Sequence, residues 1–115
     1  MRRLRRQSFA AALVTIVTLL TVAPVWGQDL AIRVTIKDHK FEPATIEAPA
    51  GQKFKLIVKN ADSTPEEFES HDLKREKVIP RGGEITLNIG PLKPGTYVFF
   101  GEFNPKTAQG KLIVK

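Results

Sequence analysis

Hydrophobic and polar positions alternate in short runs along most of this chain. Leu30, Ile32, Val34 and Ile36 alternate with Ala31, Arg33, Thr35 and Lys37, the period-two signature of a strand with one buried face. Thr45 to Ala48 forms a second short run, closed by the turn residues Pro49-Ala50-Gly51. Lys53 to Lys59 alternates again, with Phe54, Leu56 and Val58 inward, and Glu84 to Ile89 places Ile85, Leu87 and Ile89 on one face. Thr96 to Phe103 is the most apolar run, as a central strand is. Lys111 to Lys115 is the last. Short strands punctuated by Gly and Pro, with no long helical pattern, predict an all-β sandwich or barrel.

Asn60 to Pro80 reads two ways. Thr64-Pro65-Glu66-Glu67 has the form of a helix start, a Thr cap followed by Pro and Glu. Phe68, Leu73, Val78 and Ile79 do not form a helical stripe, however. The preferred reading is a short strand from Glu67 to Ser70, then a charged loop or helical turn through Lys77.

The first segment has a different character. Arg2, Arg3, Arg5 and Arg6 precede an apolar run from Phe9 to Ala23, and Val25 and Gly27 stand where a signal peptidase needs small residues. The run is shorter than the roughly 20 residues that span a bilayer. A signal peptide over 1–27, a single domain over 28–115 and a periplasmic destination are therefore expected, with nothing left embedded in a membrane after cleavage. Four of the 18 basic residues and none of the 12 acidic ones lie in that leader, so the remainder carries 14 against 12. A near-balanced domain argues against nucleic acid as a partner. The chain has no cysteine, and its one methionine is Met1. Thiolate and thioether metal ligands are thereby excluded from the domain.

The run Pro94-Gly95-Thr96-Tyr97-Val98-Phe99-Phe100, the Pro49-Ala50-Gly51 turn and the ending Gly110-Lys111-Leu112-Ile113-Val114 resemble cupredoxins. The resemblance covers nearly all of residues 30–115 and implies a Greek-key β-sandwich of seven or eight strands. In blue-copper members the penultimate strand leads into a Cys, a His and then a Met or Gln. Here Gly101 stands at the Cys position, Asn104 at the His and Gln109 near the axial ligand, while Glu66 or Glu67 takes the place of the first His. A type 1 copper centre needs a thiolate and two imidazoles, so the resemblance does not extend to one.

Lys40-Phe41-Glu42-Pro43, Thr45-Ile46, Glu67-Phe68-Glu69 and Asn104-Pro105 resemble, more narrowly, the cupredoxin-like components of bacterial ferrous iron uptake. That likeness implies iron as ligand or substrate, with copper secondary, and a membrane iron permease and other periplasmic components as partners. Some relatives carry two Cys proposed as copper ligands, and Phe41 and either Phe100 or Gly101 fill those positions. Three functions stay open: metal binding for uptake, oxidation of Fe(II) before uptake, and a metal-free interaction module. No hydrolase triad, phosphate loop or zinc-protease motif is present.

The candidate metal ligands are Glu67, Glu69, His71 and Glu102. The first three are spaced at i, i+2 and i+4, which on a strand places them on one face. Glu102 lies in the loop where cupredoxin ligands gather. His39, beside Asp38, reads as a loop residue that could join a rim site, and Asp72 and Glu76 read as part of a mixed-charge exposed face.

Overall fold

A computed structural model describes residues 10–18 and 30–115. The expected cleavage point and most of the leader lie outside the described residues, and 10–18 carry no regular secondary structure. Among the described residues no helix is long and apolar enough to cross a membrane.

Nine strands form two sheets. They are β1 (Ala31–Lys37), β2 (Lys40–Glu42), β3 (Thr45–Ala48), β4 (Phe54–Asn60), β5 (Glu66–Ser70), β6 (Arg75–Ile79), β7 (Glu84–Ile89), β8 (Gly95–Phe100) and β9 (Gln109–Val114). The first sheet runs β2-β1-β4-β7 and the second β3-β9-β8-β5-β6. β1 lies parallel to β4 and β3 parallel to β9, while the other neighbours are antiparallel. Of the inward positions read from the alternation, Val34, Ile36, Phe54, Leu56, Val58 and Ile89 are buried in the core, and Leu30, Ile32, Ile85 and Leu87 are partly buried and pack against it. Between the sheets three aromatic rings meet. Phe41 packs edge-on to Phe99 with centroids 4.9 Å apart, and Phe68 lies 5.2 Å from Phe99. Buried aromatic pairs of this kind add about 0.5–1.5 kcal/mol beyond their area.

Three differences from the sequence expectation matter for the site. Residues 66–79 form a hairpin, β5–β6, in place of a strand followed by a charged loop. β6 shows no alternation because it is an edge strand, buried only at Ile79. Second, the strand expected over Thr96 to Phe103 ends at Phe100, and the chain then turns, leaving Phe103 half exposed. Third, β2 is a short strand joined to β1 by the two-residue turn Asp38-His39. Both turn residues take left-handed backbone angles, φ 52° and 58°, the geometry that two-residue hairpin turns use.

The seam between β5 and β8 is short, with Glu69 opposite Phe100 as its one bridge. Side chains satisfy the groups beyond it. The Val98 amide donates to Asp72 Oδ2 at 2.9 Å, and Ser70 Oγ donates to the Val98 carbonyl at 2.7 Å. Asn60 fixes the loop that leads into β5. It is fully buried, and its amide donates to the carbonyls of Thr64 and Ile79 at 2.9 and 3.1 Å while its Oδ1 accepts from the Asp62 amide.

Candidate metal centre

Alternation along β5 sorts its acidic residues onto opposite faces. Glu66, Phe68 and Ser70 face the core side, and all three are buried. Glu67 and Glu69 face the other way. Across the hairpin Glu69 pairs with Glu76. Continuing the register set by Glu69 and Phe100 brings Glu102, in the turn after β8, opposite Glu67. Oxygens of Glu67, Glu69, Glu76 and Glu102 all lie within 4.8 Å of one another.

Glu67 is only 2 % exposed, and its Oε1 has no hydrogen-bond partner. Burial, together with the carboxylates of Glu69, Glu102 and Glu76, pushes its pKa up to about 7. At separations near 5 Å and an effective dielectric of about 20, each ionised pair costs on the order of 3 kcal/mol. Like charges directly opposite on neighbouring strands destabilise a sheet. A cation placed among the four would satisfy the orphan oxygen and cancel that repulsion. An all-oxygen, all-anionic donor set suits hard cations better than Cu(I).

Of the four residues expected as ligands, the fold brings Glu67, Glu69 and Glu102 together and adds Glu76. His71 stands outside the group. β5 ends at Ser70, so strand alternation stops before His71, which opens the exposed turn and packs its ring 5.4 Å from that of Phe100. Glu76 was hidden in the sequence because its role depends on β6 pairing with β5.

Glu66 belongs to a second group on the opposite side of the strand. His39 Nδ1 lies 2.5 Å from Glu66 Oε1 and 3.6 Å from Asp62 Oδ2. Asn104 Nδ2 donates to both Glu66 oxygens, at 3.4 and 3.2 Å. The hydrogen bond to Glu66 raises the His39 pKa above its usual value, against the desolvation that lowers it. Burial pushes Asp62 up, but hydrogen bonds from the amides of His39 and Asp38 outweigh it and leave its pKa low.

A type 1 copper centre does not fit this end of the sandwich. A Cβ placed on Gly101 would lie 2.8 Å from the Glu67 carbonyl oxygen and 3.0 Å from the Ala108 Cβ. The strand β5 backbone thus occupies the space that a thiolate side chain would need. Asn104 and Glu66 are bonded to each other, and the Gln109 amide donates to the Pro105 carbonyl at 3.0 Å. Phe41 is buried at the centre of the aromatic core.

Comparison with known proteins places this geometry. An uncharacterized protein of Rickettsia prowazekii (strain Madrid E) is 53 % identical over 85 residues, covering 74 % of this chain and 68 % of that one. The metal-binding domain of the Cu(I)-exporting P-type ATPase of Streptococcus pneumoniae D39, solved with Cu(I), superposes with a TM-score of 0.65 at 16 % identity, over 77 % of this chain and 89 % of that domain. A purple cupredoxin from Nitrosopumilus maritimus gives 0.57 at 18 % identity, over 72 % and 98 %. At such identities the likeness is one of fold. The family model for the cupredoxin-like domain matches residues 9–114, and the chain belongs to that family.

Proposed function

We propose that this protein is an exported metal-handling domain that binds iron through the carboxylates of Glu67, Glu69, Glu76 and Glu102 and delivers it to a membrane iron permease from the periplasmic side. The observation that carries this reading is the buried, unpartnered Oε1 of Glu67 inside a ring of three further carboxylates. A buried polar atom without a partner calls for an explanation, and a bound cation supplies one. The all-oxygen donor set favours a hard ion over a soft one. The chemistry required of the chain is capture and release. Two ligands, Glu76 and Glu102, are exposed, so the ion is reached from solvent and can be passed on.

Calorimetry with Fe(II) under argon, Fe(III), Mn(II) and Cu(II) tests the site on the native protein and on the double variant Glu67→Gln/Glu69→Gln. The native protein should bind an iron ion, and the variant should lose at least tenfold in affinity. Equal affinity and stoichiometry in the two proteins would overturn the assignment. Oxygen uptake with Fe(II) separates binding from oxidation: binding alone predicts no rate above the buffer.

A further inference from the structure

The group formed by His39, Asp62 and Glu66 is separate from the four carboxylates. Glu66 and Glu67 are neighbours on β5 and face opposite sides of its sheet. We propose that His39, Asp62 and Glu66 form a second cation site, selective for a divalent ion of borderline hardness such as Fe(II), Zn(II) or Cu(II).

One nitrogen and two carboxylate oxygens, one from each residue, lie within 4.8 Å of one another. Mixed imidazole and carboxylate donors suit these ions, whereas the all-carboxylate group does not supply a nitrogen. The three ligands come from three segments: the β1–β2 turn, the loop after β4 and the start of β5. The loop that carries Asp62 is tied to the turn that carries His39 before any ion arrives. Asp62 Oδ1 accepts from the Asp38 amide at 2.7 Å and Oδ2 from the His39 amide at 3.0 Å. Each oxygen keeps a second lone pair for a cation.

Burial sets the direction of the chemistry. The Glu66 side chain is 0 % exposed and that of Asp62 only 11 %, while the His39 side chain is 45 % exposed. A buried carboxylate needs a cationic partner, and the half-exposed ring is the one movable ligand. Binding replaces the proton of the Nδ1–Glu66 hydrogen bond by the metal ion, while the ring keeps its proton on Nε2. The displaced proton leaves to solvent, and a small turn of the ring opens the short contact to ligand spacing. Asn104, already bonded to Glu66, can present its Oδ1 as a further donor after an amide flip.

The chain has two histidines, which makes the test direct. Long-range proton–nitrogen NMR of the imidazole rings is recorded on the native full chain, with Zn(II) as a redox-silent probe. Saturation should shift the His39 Nδ1 resonance strongly and leave His71 nearly unchanged. Calorimetry on Glu67→Gln/Glu69→Gln should still find one Zn(II) per chain, and adding Asp62→Asn should weaken it at least tenfold. A His39 ring that does not move at saturating Zn(II) overturns the proposal, as does a shift confined to His71. Its failure is separable from that of the carboxylate site, which is read by the drop of one bound iron per chain between the native protein and the double variant.

Discussion

Replacing Glu67 by glutamine should stabilise the metal-free protein at neutral and alkaline pH. The folded carboxyl has a pKa of about 7 against 4.5 for the free group. Between those two values the folded chain holds a proton that the unfolded chain has released. The contribution of this group to stability is therefore fully present below pH 4.5 and is lost as the pH rises through 7. One pKa unit corresponds to about 1.4 kcal/mol, so the full loss approaches about 3 kcal/mol. Solvent screening of the exposed carboxylates nearby trims it to about 2 kcal/mol. Glutamine has the shape of the protonated acid and never ionises. In urea titrations with a chelator present, the two proteins should have similar stability at pH 4.5, and the variant should pull ahead as the pH approaches 8. For a domain of this size about 2 kcal/mol is roughly 10 °C in Tm. A stability difference that stays constant from pH 4.5 to 8 would refute the argument, because it would show that Glu67 does not ionise against a penalty.

Three further outcomes follow from the geometry. The pairing of His39 with Glu66 stabilises the fold below pH 6.5 and fades as the pH rises through the raised His39 value; His39→Gln should flatten that decline, as measured by thermal melts across pH 6 to 9. Asn60→Ala leaves three carbonyls and the Asp62 amide without this partner and should cost about 2–4 kcal/mol in denaturant titrations. Gly101→Cys forces the β5 backbone away from β8 and should cost about 1–3 kcal/mol by overpacking, and the copper-loaded variant should lack the intense visible band of a blue-copper centre.

The sandwich was legible in the sequence because most strands have one buried face, and a buried face prints a period of two. Val34, Ile36, Leu56 and Val58 were readable for this reason. β6 was not, because only Ile79 faces the core and the strand is defined by its pairing with β5. The same cause concealed Glu76, whose place beside Glu69 comes from cross-strand register. Glu67 and Glu69 could be paired by spacing alone, and Glu102 was added through the resemblance to cupredoxins, whose ligands gather in that region. His71 failed to join them because spacing arguments hold only as far as the strand continues. His39 and Asp62 lie 23 residues apart and meet through the turn and loop geometry that their own hydrogen bonds create. Such long-range meetings leave no local signal. The loss of a thiolate centre was visible in composition, but the close approach of the Glu67 carbonyl to Gly101 required the fold.

The single bridge between β5 and β8 has a consequence for how the molecule opens. Proteins exchange their amide protons through local openings, and pieces joined by few backbone bonds open first. The β5–β6 hairpin is joined on one side by one bridge and two side-chain bonds, so it forms the natural unit of partial opening. Glu67, Glu69 and Glu76 ride on that hairpin, whereas Glu102 belongs to the turn beyond β8. An ion shared among them would act as a staple across the seam. Deuterium uptake by the hairpin amides would then become a gauge of metal occupancy, slowing as the staple closes while the amides of β1 and β4 exchange at their own unaltered pace.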